Sequence, residues 1–132
     1  MKNPGSLFAI SLLLLTGLAC GTSSRQLQSI SISPSIADAQ SSPNGQVQFV
    51  ATGHYNRAPM SSSPLPVLWG LLPGMSGQAG ATITQSGLAQ CAQGASGSFS
   101  VATWAPADPN ISIGQLSSAK KAVVGTAVLT CP

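Results

Sequence analysis

The chain of 132 residues carries very little charge: five lysines and arginines, two aspartates, no glutamate and one histidine. Such a supply excludes an acidic or basic disordered tail, because 43% of the residues are hydrophobic and no charge run occurs. The net charge of +3 does not gather into a basic surface either, since only Lys120 and Lys121 are adjacent. Nucleic acid is therefore not an expected partner, because neutralising several phosphates takes clustered cations. Metal ligands are equally scarce. His54 stands alone, no CxxC or HxxxH spacing occurs and two isolated aspartates make no cage, so no cofactor is expected.

Catalysis lacks its parts as well. A Ser-His-Asp set can be written down from His54 with Asp38 or Asp108, but no Gly-x-Ser-x-Gly elbow presents a nucleophile, and serine is too abundant for a chance match to count. Asp38 and Asp108 are also the only acids available for a glycosidase pair, with none left to tune them. The chain reads as a non-enzyme, with a small hydrolase the weakest of the alternatives. Helical stripes are missing outside the first residues, and 14 glycines and 10 prolines scattered along the chain argue against a helix bundle.

What is present begins with a targeting segment. Lys2 gives a positive start, Leu7 to Leu15 an apolar stretch, and Thr16-Gly17-Leu18-Ala19 a small or apolar run up to Cys20. Ser11 and the Thr16-Gly17 pair break it short of the roughly 20 apolar residues that cross a bilayer. Its end, Leu18-Ala19-Cys20-Gly21, resembles the lipobox of bacterial lipoproteins, with Gly17 departing from the aliphatic residue usual three places before the cysteine. The resemblance implies a signal peptide over residues 1–19, lipidation of Cys20, and a bacterial cell-envelope protein anchored to a membrane by its N-terminal lipid; plain secretion is the alternative. Acylation of Cys20 would leave Cys91 and Cys131, of the three cysteines, as a pair that an oxidising compartment lets join in a disulfide. Two buried free thiols are the other reading.

Residues 20–26 form a lipidated N-terminus and a polar linker, and residues 27–132 one domain of common size. In Leu27-Gln28-Ser29-Ile30-Ser31-Ile32-Ser33-Pro34 the isoleucines alternate with serines, the period of a strand with one wet face. Residues 37–45 read as a turn-rich stretch ending in Asn44-Gly45, and Val47, Phe49 and Ala51 point inward from the strand that follows. Val67-Leu68-Trp69 places Val67 and Trp69 on one face. Further strands fall at Ala81-Thr82-Ile83-Thr84, Leu88-Ala89-Gln90-Cys91, Ser98 to Trp104 with Phe99 and Val101 in phase, and Ala122 to Cys131 with Ala127, Leu129 and Cys131 in phase. About seven short strands at this spacing predict an all-β sandwich, with a small β-barrel as the alternative.

The order of these segments resembles the bacterial immunoglobulin-like domains of the group 2 type. The resemblance covers Leu27 to about Trp104: the opening strand, Val47 to Tyr55, the tryptophan strand Val67-Leu68-Trp69, Ala81 to Ala89, and the glycine-led Gly97-Ser98-Phe99-Ser100-Val101. The usual Trp-Ser-Ser turn is replaced by Gly70-Leu71-Leu72-Pro73. It implies an immunoglobulin-like sandwich used for adhesion, binding or structural spacing, with an envelope protein or a polysaccharide as partner. Trp69 belongs to the core of such a sandwich. Trp104 is out of phase with Phe99 and Val101, so it either packs against a neighbouring loop or forms a candidate binding surface with Tyr55; if both are exposed and coplanar, the chain reads instead as a secreted carbohydrate-binding module.

Overall fold

A computed structural model describes residues 21, 23–72, 80–119 and 121–132. The targeting segment and Cys20 lie outside the described residues. The strands in chain order are β1 (Leu27–Ser33), β2 (Ile36–Asp38), β3 (Gln46–Gln48), β4 (Val50–Tyr55), β5 (Ser61–Ser62), β6 (Leu68–Leu72), β7 (Ala81–Ile83), β8 (Leu88–Cys91), β9 (Gly97–Pro106) and β10 (Ala122–Cys131). Only three short 3-10 turns interrupt them among the described residues, at Ala39–Ser41, Pro43–Gly45 and Ile113–Ser118.

Two layers result. In one, β4 pairs antiparallel with β1 and β5, and β3 pairs with β8, which pairs with β7. The other is an open four-stranded sheet in the order β2-β10-β9-β6. Counting β3 and β4 as one bent strand, the layers read A-B-E-D over C-F-G, the constant-type immunoglobulin order, with β2 added parallel to β10 at the edge. Among the described residues the sheets stay open, so the arrangement is a sandwich and not the β-barrel alternative.

The predicted alternation holds through a bend. Val47, Phe49, Ala51, Gly53 and Tyr55 are all buried, one face of a continuous strand. Phe49 lies outside both ladders because its N–H donates to the carbonyl of Gly87 at 2.8 Å, and there the strand passes from its β8 partner to its β1 partner. Ile30 and Ile32 of β1, Leu71 of β6, Val101 of β9 and Leu129 of β10 close the interior around Phe49 and Trp69, whose ring centroids are 6.5 Å apart. Trp69 is the core tryptophan the sequence suggests.

Two segments differ from the sequence reading. Residues 36–38, expected within or beside a turn-rich stretch, form β2: beyond Pro34 the chain leaves β4 and hydrogen-bonds β10, with Val128 N–H donating to the Ser35 carbonyl at 2.9 Å. The connection from Ala58 to Pro66 folds back on β4 as β5, continued by a bond from Leu65 N–H to the Ala51 carbonyl at 2.8 Å.

Cys91 and Cys131 are joined, their Cα atoms 5.8 Å apart and 40 residues apart in sequence. The bridge ties the last residue of β8 to the last of β10, one from each layer. A loop of that length stabilises by about 4 kcal/mol in the chain-entropy treatment.

Candidate functional site

The two aromatics expected to share a binding surface are separated by the fold. Tyr55 continues the inward phase of Phe49 and Ala51 and is only 7% exposed. Its outer ring face is covered by the Arg25 guanidinium, 3.4 Å from the ring centroid. Tyr55 is thus a core residue, which corrects the expectation of an exposed Tyr55–Trp104 platform.

Trp104 does turn outward. In register it lies between Leu68 of β6 and Val124 of β10, so these three form an apolar row across the outer face of the four-stranded sheet. Trp104 and Leu68 are half-buried and Val124 is 49% exposed. Four residues along, a second row runs Leu72, Ser100, Val128 and Ile36, with Leu72 37% and Ile36 71% exposed. Both rows lie on the one outer face of this sheet, the second interrupted by the polar Ser100. Val124 was within reach of sequence reasoning, since it is out of phase with the buried Ala127, Leu129 and Cys131. Ile36 and Leu72 join the face only through strand pairing.

The residues that chemistry would need are engaged elsewhere. His54 is exposed on β4 with Nε2 2.8 Å from Ser31 Oγ across the β1 ladder. The carboxylate of Asp38 accepts from the Gln40 N–H at 2.9 Å and from Ser41 Oγ at 3.2 Å, capping the turn that follows β2. The Asp108 carboxylate accepts from Asn110 N–H at 2.9 Å and from its Nδ2 at 3.0 Å. No group of three or more His, Cys, Asp or Glu suited to a metal occurs among the described residues.

A groove of about 580 Å³ runs beside Phe49, Pro64, Trp69 and Gln85, but its amides already have partners. Gln48 Nε2 donates to the carbonyls of Ser86 at 2.7 Å and Phe49 at 3.0 Å. Gln85 accepts from Trp69 N–H at 3.1 Å and donates to the Trp69 carbonyl at 3.0 Å. At the end of the molecule that holds the disulfide, a second groove of about 380 Å³ is lined by Asn44, Gln90, Cys91 and Pro132.

Residues 23–26, expected to be a free polar linker, are fastened to the β4–β5 hairpin. Arg25 donates to the Pro59 carbonyl from Nη2 at 2.7 Å and from Nε at 3.2 Å. Gln26 N–H donates to Asn56 Oδ1 at 2.7 Å, Asn56 N–H returns a bond to the Gln26 carbonyl at 3.1 Å, and Arg57 Nη2 donates to Ser23 Oγ at 2.7 Å.

No protein-family model matches the chain, and no curated protein matches it.

Proposed function

We propose that this protein is a non-catalytic lipoprotein of the bacterial cell envelope, held to a membrane through a lipid on Cys20, whose immunoglobulin-like domain binds an envelope protein or polysaccharide. The lipobox-like Leu18-Ala19-Cys20-Gly21 supports the address, and a disulfide between Cys91 and Cys131 suits an oxidising compartment outside the cytoplasm. The observation that carries the binding role is the outward row Leu68, Trp104, Val124, where an aromatic flanked by aliphatics supplies the centre that interfaces favour. The engagement of His54, Asp38 and Asp108 in separate local bonds supports a role without catalysis. A carbohydrate-binding module is the weaker reading, because burial of Tyr55 removes one of its two stacking rings.

Photocrosslinking in cells tests this reading. A crosslinking side chain at Val124 is expected to give one discrete adduct, recovered with the protein in the membrane pellet. The same side chain at Gln28, exposed on β1, serves as the control. Equal labelling from both positions, or recovery of the protein in the soluble fraction, overturns the proposal.

A further inference from the structure

The cations are gathered at one end of the sandwich. Arg25 precedes β1, Arg57 follows β4, and Lys121 precedes β10; the three sites meet because Leu27 N–H donates to the Ala107 carbonyl at 2.8 Å and Ala107 N–H to the Lys121 carbonyl at 3.0 Å. Every lysine and arginine among the described residues is therefore at this end, with Asp108 the single acid beside them. Asp38 sits at the other end, paired with Thr130 near the close of β10. Arg57 and Lys121 are exposed, and the hairpin that follows Arg57 presents Ala58, Pro59 and Met60, the last 60% exposed.

The same end receives the N-terminus. Because Ser23 is bonded to Arg57, only Gly21 and Thr22 separate the fastened chain from Cys20, a reach of at most about 11 Å when fully extended. A lipid on Cys20 would thus hold this end, and no other, against the headgroups.

We infer that the Arg25, Arg57, Lys121 and Met60 end of the domain is a docking surface for the anionic phospholipid headgroups of the membrane that carries the anchor. The inference rests on the reading of Cys20 as lipidated. The acyl anchor supplies the attachment, and the cations facing an anionic surface settle which side of the domain lies against it. Met60 adds an apolar side chain that enters the interface, while Arg25, stacked on Tyr55 and bonded to Pro59, keeps the hairpin tip presented.

The test uses the full chain with its own anchor, reconstituted into vesicles of phosphatidylcholine alone or with phosphatidylglycerol added, and follows oxidation of Met60 by dilute peroxide with peptide mass spectrometry. Slower oxidation is expected in the anionic vesicles at low salt, with the difference lost at high salt, since exposed charges are screened. The variant R57Q/K121Q removes two exposed cations; because R57Q also gives up the bond to Ser23, K121Q alone is the arm that changes charge without touching the fastening, and a retained Cys91–Cys131 disulfide checks the fold of both. Each is expected to lower the docked-to-undocked ratio about fivefold per cation removed, the factor for one cation near an anionic surface. The N-terminal peptide of the same digest separates the two claims. Cys20 carrying diacylglycerol together with equal Met60 oxidation in both vesicles overturns docking alone, whereas an unmodified Cys20 overturns the anchor and docking together. Protection that ignores lipid charge and grows with protein density assigns the surface to a second copy of the chain and also overturns docking on lipid.

Discussion

At the scale of single residues, Gly87 carries more of the fold than its size suggests. Its φ is +83°, and a Cβ there would run into the carbonyl oxygen of Phe49 and approach the Trp69 ring at 3.0 Å. Gly87→Ala therefore combines a left-handed backbone penalty with overpacking beside the core tryptophan, and we expect a loss of roughly 2–5 kcal/mol, read from the urea midpoint at unchanged m-value. The same position also explains what sequence could show of Phe49. Its inward phase follows from alternation with Val47 and Ala51, but the bend there depends on a bond to a carbonyl 38 residues away, which no local pattern announces. Tyr55 is open to the same alternation, being six residues on from Phe49 in the same phase, although its polar neighbours His54, Asn56 and Arg57 favour the outward placement that the binding-surface reading needs. Trp104 was legible as outward-facing because its phase opposes that of Val101.

At the scale of elements, the β6 strand is the instructive case. It borders the four-stranded sheet, so the backbone groups of Trp69 that face away from β9 have no ladder partner, and the Gln85 side-chain amide supplies both a donor and an acceptor in its place. The turn between β7 and β8 in the opposite layer thereby clips the edge strand. Gln85→Ala is expected to cost about 1–3 kcal/mol by leaving a part-buried N–H and C=O without those partners, measured by denaturant unfolding; an unchanged midpoint removes the clip from the account. The seven predicted strands correspond to recognisable elements because each carries its own alternation or turn signals. The additional ones, β2 and β5, carry neither. Ile36 is exposed and β5 is Ser61–Ser62, so both exist through backbone bonds to strands that are already placed.

At the scale of the whole molecule, the disulfide closes one end and the bonded residues 23–26 the other. Replacing Cys91 and Cys131 together by serine, or adding reductant, is expected to lower stability by about 4 kcal/mol while far-UV circular dichroism stays that of β structure; a shift well under 1 kcal/mol would make the bridge incidental. The cysteine pair was readable from the odd count of three. The layer order was implied only by resemblance, since hydrogen-bonded neighbours such as β3 and β8 lie some 40 residues apart. The fastening of residues 23–26 was not readable at all, because Arg25, Asn56 and Arg57 form no pattern until the hairpin brings them together.

The ten-residue strands β9 and β10 set the height of the sandwich, about 30 Å at the usual rise per residue. That is several times the roughly 8 Å over which ions damp a field at physiological salt. Whatever charges the basic end meets, the groove beside Cys91 at the opposite pole is electrically deaf to them. A partner received there meets side-chain amides and the neighbouring Asp38, not the field of the cations.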